Sequence, residues 1–387
     1  MRVLELDAGC GPRERGRRHG ETFRPLIAEL AAIRTELAVE RGAFPGAGAV
    51  RELARAHLPV LAAFDAALHD ELEGIAEGAA LDPADVVILN HYTDLRDVPV
   101  HPPEPVTGSE RSAPGHAGRA GSGEEGCSAV WARTAEGALL GQTWDMHGSA
   151  MPYVMMLGVP GTDGAPASWL LSITGCLGMC GFNEAGVAIT INNLRSTDAR
   201  VGVVWPALVR RVLRERTAEA GRDVVLEAHL GSGHHYLVAD ARRAFGIETS
   251  GVHRRLVFDG RGDAYVHTNH CLDPEVAACT VVVDESTTHD RYDALSEGMR
   301  RSVPAGRAEL WARLGSHDGY PRFVCTHMAS PARPHGMLTC GGIVMDLARA
   351  DAWAAPGCLH HARPHRFGFG PGPGALAASA AGEERRA

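Results

Sequence analysis

No stretch of this 387-residue chain approaches the ~18 consecutive apolar residues that a membrane-spanning helix needs. The opening, MRVLELDAGCGPRERG, lacks both the apolar core and the small-residue cleavage site of a secretory signal. These absences lead us to expect a cytoplasmic protein with no membrane partner. Positive charge is not in excess either. The formal net charge is −9, so a phosphate backbone would meet a surface of its own sign, and no nucleic-acid partner is expected. Arg13, Arg15, Arg17 and Arg18 alternate with Glu14, Gly16 and His19 and read as a solvated helix face. The nine cysteines are odd in number and irregularly spaced, and in the cytosol they are expected to be mostly reduced thiols, not a disulfide framework.

Metal-ligand spacing is lacking as well. His234-His235 and His360-His361 are adjacent pairs, and adjacent residues do not share a helix face. Cys176 and Cys180 are four apart, unlike the C-x2-C of a zinc site, and THMASPARPHG has no recognisable ligand spacing. The twenty histidines are read as solvated or core residues, with no metal and no other cofactor. GFGPGPG follows no strand and opens no helix, so it is not a dinucleotide fingerprint. No internal repeat is visible.

What is present divides the chain. Residues 1–98 carry apolar residues at three- and four-residue spacing and predict a helical segment. In LDPADVVILN, Asp82 suits an N-cap and Pro83 the first helical position. Residues 99–126 are rich in Pro, Gly, Ser and charge and read as a flexible linker. Over 127–361 the period changes. Strand-like runs (CSAVWA, ALLGQTWD, YVMMLGV, SWLLSIT, GVAITIN) precede helical signal at 205–230, and two hairpin-like stretches follow, HYLVADARRAFGIETS and RRLVFDGRGDAYVHT. Helical signal returns at 290–314, before a last hairpin in MLTCGGIVMDLARADAW. This order predicts an α+β protein with helices layered on antiparallel sheets. The tail, 362–387, is Gly/Pro/Ala-rich and is expected to be disordered.

The junction of linker and first strand is Gly126-Cys127. A cysteine freed as the first residue of a chain gains an α-amine of pKa about 7.7–8.0 that can act as a base for its own thiol. Gly126 has no Cβ, so its carbonyl is open to attack by that thiol. GQTWD puts Asp145 at the end of the second strand, where an antiparallel return brings it beside Cys127. HTNHC ends a strand with Asn269, whose amide could donate to an oxyanion.

GCSAVWA…GALLGQTWD, GFNEAGVAITIN and YVHTNHC, in that order, with GPRERGRRHGE near the start, resemble the isopenicillin N acyltransferase family (acyl-coenzyme A:6-aminopenicillanate acyltransferase). That family belongs to the N-terminal-nucleophile hydrolases. The resemblance covers most of 5–350 outside 99–125. It implies a four-layer αββα sandwich, made as a precursor and cut between Gly126 and Cys127; the two fragments are expected to stay associated, because the apolar faces of the helical segment need the larger piece to cover them. It implies Cys127 as nucleophile, Asp145 as its electrostatic and positioning partner, and Asn269 as an oxyanion donor. A backbone N–H near the end of GVAITIN, taken as Asn193, would complete the oxyanion hole. The implied activity is hydrolysis or transfer of the acyl or aminoacyl group of a small amide or acyl thioester, through a Cys127 thioester. Small N-acyl or aminoacyl amides such as β-alanyl amides are expected before β-lactams. One departure stands out. The family often has an arginine directly after a cysteine in a segment like YPRFVC, whereas Thr326 follows Cys325 here, which leaves Arg322 or Arg333 to supply the charge or none at all.

Two other readings are carried. A thiol hydrolase without self-processing would pair Cys127 with His147 or His270, and a binding protein of the same fold would do no chemistry. If the linker only lets the cut end swing away, residues about 104–121 should be removable without loss of processing. A deletion series scored for fragment formation checks this; short deletions that stop cleavage in a folded protein would make the linker part of the processing site.

Overall fold

The computed structural model describes residues 1–99, 126–162, 164–284, 286–370 and 376–380. The chain opens with a short strand, β1 (Arg2–Glu5). Five helices follow: α1 (Pro12–Thr22), α2 (Arg24–Arg41), α3 (Ala47–Phe64), α4 (Ala66–Ala79) and α5 (Pro83–Asp97). The start signal of α5 works as its sequence suggests, since the Asp82 carboxylate accepts from the Ala84 N–H and Pro83 begins the helix. Asp65 caps α4 through the Leu68 N–H. The helical reading of 1–98 omitted β1, whose four residues are too few to display a period.

Helices α1 and α4 cross on glycines. A Cβ on Gly16 would lie 2.0 Å from the Glu71 carbonyl oxygen, and one on Gly74 would lie 2.0 Å from that of Arg13. Gly20 and Gly78 repeat the pattern one turn on, against Ile75 and Arg17. Glycine lets the two backbones touch, which no side chain permits.

The remaining strands form two sheets. In chain order they and their helices are β2 (Gly126–Thr134), β3 (Gly137–His147), β4 (Val154–Val159), β5 (Ser168–Ile173), β6 (Cys180–Asn183) and β7 (Ala188–Asn193), then α6 (Trp205–Val212) and α7 (Ala218–Glu227). Next come β8 (His234–Ala239), β9 (Ala244–Thr249), β10 (Arg254–Phe258), β11 (Ala264–His267), α8 (Pro274–Ala277), α9 (Thr288–Arg301) and α10 (Arg307–Leu314). The chain ends with β12 (Met337–Asp346), β13 (Asp351–Pro356), β14 (His365–Phe369) and β15 (Leu376–Ala380). One sheet runs β1-β4-β5-β6-β7-β8-β9-β10, the other β11-β2-β3-β12-β13-β14-β15. The β1–β4 pair is parallel and the other pairs are antiparallel.

Alternation along the strands creates three apolar layers. Trp131, Leu140, Met156 and Leu171 face the space between the sheets, in a core that continues into α2–α5. Their sequence neighbours face away: Met155 and Leu170 pack under α6 and α7, Val130 and Leu139 under α9 and α10. The result is the four-layer αββα sandwich, with the N-terminal helices capping the inter-sheet core. A buried bidentate pair ties the cap to the sandwich: Arg210 of α6 donates to both carboxylate oxygens of Glu71 on α4, at 2.7 and 2.9 Å. Burial alone would raise the Glu71 carboxyl, but Arg210 outweighs it and holds the group below its usual range.

Two expectations are corrected. RRLVFDGRGDAYVHT is not a hairpin. Its halves, β10 and β11, belong to different sheets, because Gly260 and Gly262, both at positive φ, carry the chain across. The tail is also not disordered throughout 362–387. β14 and β15 extend the second sheet, and Phe367 packs on Trp169 while Phe369 packs on Phe182. Glycine and alanine obscured a strand pattern whose few aromatic residues seal one end of the sandwich. The linker reading, over residues 100–125, lies outside the described residues.

Gly74→Ala should destabilise the fold by at least about 1–3 kcal/mol, since the clash is with backbone and not with a movable side chain. Gly48→Ala, at an open helical position, should be neutral or slightly stabilising. Thermal melts of the two variants check the crossing; equal melts would remove it.

Candidate active site

The β2–β3 hairpin sets the geometry. Gly126 lies opposite Asp145 and Cys127 opposite Trp144. Period two then separates the side chains. Cys127 belongs to the inter-sheet core with Ala129 and Trp131, whereas the Gly126 and Asp145 positions share the other face. The hairpin therefore brings Asp145 beside the Gly126–Cys127 peptide, as its spacing suggests, with the carboxylate and the thiol on opposite sides of the sheet.

The backbone of Cys127 is held on both polar atoms. Its N–H donates to Asn269 Oδ1 at 2.8 Å. Its carbonyl accepts from Arg291 Nη1 at 2.8 Å and from Asn192 Nδ2 at 3.1 Å. Arg291, on α9, is fully buried and also donates to Ser128 Oγ, Asn269 Oδ1 and Thr287 Oγ1. Two donors thus converge on Asn269 Oδ1, so the amide oxygen, not the nitrogen, must face Cys127. Asn269 Nδ2 donates to the Asn193 carbonyl at 3.0 Å, which leaves its second N–H uncommitted by that bond. The oxyanion-donor expectation for Asn269 is therefore modified in the intact chain, where the side chain holds the Cys127 nitrogen. Asn193 ends β7 beside it, and its neighbour Asn192 is the residue that reaches the Cys127 carbonyl.

Asp145 is fully buried. Thr339 Oγ1 donates to its Oδ1 at 2.7 Å, while Oδ2 finds no hydrogen-bond partner among the described residues. A Cβ on Gly126 would meet that Oδ2 at 3.2 Å. Burial pushes the Asp145 carboxyl up to about 7, against the pull of Arg291 and Thr339. Burial, followed by the Asp145 charge, pushes the Cys127 thiol up to about 12; the Asp145 backbone, Arg291 and Gln142 offset this only in part. In the intact chain the thiol therefore stays protonated at neutral pH and needs a base.

Cys127 lines a cavity of about 40 Å³ between the sheets, with Trp144, Met146, Met179, Ile191 and Trp205 on its apolar side. Arg34, Asn90 and His234 add polar groups. A cavity of about 1270 Å³ lies on the outer side of the second sheet between α9 and α10. Cys127 does not line it, so the smaller cavity is the candidate site.

The histidine that shares this cavity is neither His147 nor His270. His147 Nδ1 pairs with Ser149, and His270 Nδ1 pairs with Thr268 and Thr288. His234 lines the cavity instead, with Nε2 on both Asp94 oxygens and a buried Nδ1 without a partner among the described residues. Arg322 and Arg333 are exposed; the guanidinium at Cys127 is that of Arg291. Sequence reasoning missed Arg291, although a signal was present. Thr288, Arg291, Leu295 and Met299 form the buried stripe of α9, and a cation inside an apolar i, i+4, i+8 row marks a buried charge that needs acceptors.

The family model described as acyl-coenzyme A:6-aminopenicillanic acid acyl-transferase matches residues 132–329, just over half of the chain. Asp145, Asn193, Asn269 and Arg291 fall inside that stretch; Gly126 and Cys127 precede it. The chain is 28% identical over 263 residues to the acyl-coenzyme A:6-aminopenicillanic-acid-acyltransferase 40 kDa form of Emericella nidulans. The match spans 66% of this chain and 66% of that relative's length. Among solved structures, a conjugated bile acid hydrolase from Clostridium perfringens is similar at 12% identity and a TM-score of 0.45, covering 59% of this chain and 89% of that one. Penicillin V acylase from Agrobacterium tumefaciens is similar at 17% identity and a TM-score of 0.43, covering 63% and 86%. Among the described residues, no helix is long and apolar enough to cross a membrane.

Arg291→Lys keeps the charge but loses the guanidinium that reaches four acceptors. We expect a loss of about 2–4 kcal/mol in stability, the scale of two or three charge-assisted hydrogen bonds less what the lysine recovers. Arg322→Ala and Arg333→Ala should stay within about 0.5 kcal/mol of the parent, as exposed substitutions do. Denaturant unfolding of the three variants checks the assignment.

Proposed function

The chain belongs to the acyl-coenzyme A:6-aminopenicillanic acid acyl-transferase family, and from that premise we propose that it is a self-processing N-terminal-cysteine amidohydrolase or acyltransferase. The observation that carries this reading is the convergence on Cys127. Asn269 holds its nitrogen, Arg291 and Asn192 hold its carbonyl, and its side chain lines the inter-sheet cavity.

Processing begins when a water carries the Cys127 thiol proton around the strand to Asp145, whose carboxylate lies on the other face beside the Gly126–Cys127 peptide. The thiolate attacks the Gly126 carbonyl carbon, and Arg291 and Asn192 keep the Cys127 main chain still. The C–N bond breaks as the proton returns to the Cys127 nitrogen, leaving Gly126 as a thioester on sulfur. Water cleaves that C–S bond and releases the Gly126 carboxylate, the thiol and a new α-amine. Asn269 Oδ1 is already in place to orient that amine.

In turnover the α-amine takes the thiol proton, and the thiolate attacks an amide or acyl thioester. The second N–H of Asn269, with the chain at Asn193, receives the oxyanion. The amine's proton then goes to the leaving group, and water or an amine takes the acyl group from sulfur. The apolar wall of Trp144, Met146, Met179 and Ile191 suits a small acyl chain, and His234 and Arg34 suit a polar acceptor or an aminoacyl head. A cavity of about 40 Å³ holds little more than one water, so substrate entry needs it to open, which departure of the chain before Cys127 would allow. Fragment 1–126 stays bound through β1 on β4 and the Glu71–Arg210 pair.

A thiol hydrolase without processing is favoured by one observation, the Nδ1 of His234 in the same cavity, which has no partner among the described residues. His234→Ala separates the readings: it should spare processing under ours and abolish all Cys127 reactivity under the other.

The chain contains no lysine, so an amine-reactive label finds one site before cleavage and two after it. Intact mass and amine labelling of purified protein should give two fragments meeting at 126/127, and Cys127→Ala should give one uncut chain. A folded parent that stays whole, with a single labelled amine, would falsify self-processing. Because Asp145 must be ionised to accept the thiol proton and its carboxyl sits at about 7, precursor cleavage should quicken as pH rises through about 7. Asp145→Asn should lose that dependence. In variants that mature, Asn269→Ala should lower kcat by ~10²–10³, the usual loss for one oxyanion donor.

A further inference from the structure

The outer side of the second sheet carries a cluster that the chemistry at Cys127 does not use. His317 lies in the turn after α10, Cys325 and His327 in the segment leading to β12, and Cys358 just after β13. Their ligand atoms all lie within 4.8 Å of one another. Cys325 Sγ is 3.3 Å from Cys358 Sγ and 3.3 Å from His327 Nε2, and His317 Nε2 is 3.2 Å from Cys358 Sγ.

These spacings suit a shared ion better than a covalent bond. A disulfide needs the sulfurs about 2.05 Å apart. In a tetrahedral zinc site, with Zn–S about 2.3 Å and Zn–N about 2.0–2.1 Å, neighbouring ligand atoms stand about 3.5–3.8 Å apart. The three close pairs need open by only a few tenths of an ångström around an ion at the centre, and the remaining pairs of ligand atoms stand within 4.8 Å. The donor set is soft, two thiols and two imidazoles with no carboxylate, which selects against magnesium and calcium.

The surroundings hold these side chains in place. Gly357, at a φ of +76°, turns the chain so that Cys358 points back, and its N–H donates to the Cys340 carbonyl at 2.7 Å. The His327 N–H donates to the Pro321 carbonyl at 2.8 Å. His360 stacks on His317 at 4.1 Å, and Tyr320 packs against both His317 and His327. Cys325 is completely buried.

We propose that His317, Cys325, His327 and Cys358 form a structural Cys2His2 site for a soft divalent cation, zinc by its donor set. Binding releases two thiol protons, so two thiolates and two neutral imidazoles leave the site uncharged with its dication. All four positions are protein ligands, so the ion has no open place for substrate or water. Its task is to fasten a loop. Thr326, between two ligands, donates its N–H to Thr339 Oγ1 at 2.8 Å, and Thr339 in turn donates to Asp145 Oδ1 at 2.7 Å. The ion thereby braces the segment that holds the buried carboxylate beside Gly126.

The test uses the full chain, purified without chelator, together with the Cys127→Ala form, so that its outcome stands apart from the acyl chemistry. Elemental analysis should find about one zinc per chain in both. After chelation, added cobalt(II) should give the intense visible bands of a tetrahedral ion and a thiolate-to-cobalt absorption in the near ultraviolet. Cys325→Ser and Cys358→Ser should each lower bound metal at least about tenfold and weaken the thiolate absorption. Should these variants not fold, the cobalt spectrum of the parent decides alone. A parent that holds no zinc and gives no tetrahedral cobalt bands overturns the site. So does a parent whose Cys325 and Cys358 are joined in a disulfide when purified from reducing cytosol without oxidant.

Discussion

A buried guanidinium organises the start of β2. Arg291 carries its charge into the buried interior, where it must be offset by acceptors at close range. It finds the Cys127 carbonyl, Ser128 Oγ, Asn269 Oδ1 and Thr287 Oγ1, and a carboxylate, Asp145, lies near enough to act on it electrostatically. Each neighbour is defined by this charge. Asn269 must turn its oxygen inward, since two donors point at it. Asp145 feels a cation that lowers its carboxyl and a burial that raises it, and burial prevails. The Cys127 peptide is clamped on both sides while its thiol remains in the inter-sheet cavity. A lysine has neither the reach nor the planar fork to do this.

The hairpin geometry then divides labour across the sheet. A strand offers two faces, and the Gly126–Cys127 pair uses both: the Asp145 carboxylate lies on one side, and the thiol lines an apolar cavity on the other. The distance from Asp145 to the Cys2His2 cluster is only two hydrogen bonds, through Thr339 and Thr326. A loop far from the cavity in sequence therefore bears on the acidity of the carboxylate beside the Gly126–Cys127 peptide.

Much of this was legible in the sequence. The αββα layering followed from strand runs with helical blocks between them and from the family resemblance, and the Asp82-Pro83 helix start from local chemistry alone. The Cys127–Asp145 neighbourhood followed because a tight hairpin fixes register over a short distance. What escaped depended on long-range assembly. RRLVFDGRGDAYVHT has a hairpin's turn residues, but which sheet each half joins is decided by β9 and β2, elsewhere in the chain. The tail's strands were hidden because glycine and alanine carry little β signal, and Phe367 matters only once Trp169 is beside it. The cluster at 317, 325, 327 and 358 has a spacing no short motif encodes, since three separate segments supply it.

The placement of β1 has a consequence for how the protein is assembled. Residues Arg2–Glu5 pair with Met155–Gly158 across more than a hundred residues, and the glycine crossing of α1 on α4 fixes the helices that follow. While the chain is whole, this docking is intramolecular and proceeds at a high effective concentration. If the backbone is broken after Gly126, as we propose, the same contacts join two separate molecules. Folding before the break is a first-order event; reassembly after it is second order and fades on dilution. The order of events, fold first and cut second, would make the native arrangement a kinetic product, easy to reach once and slow to regain after unfolding.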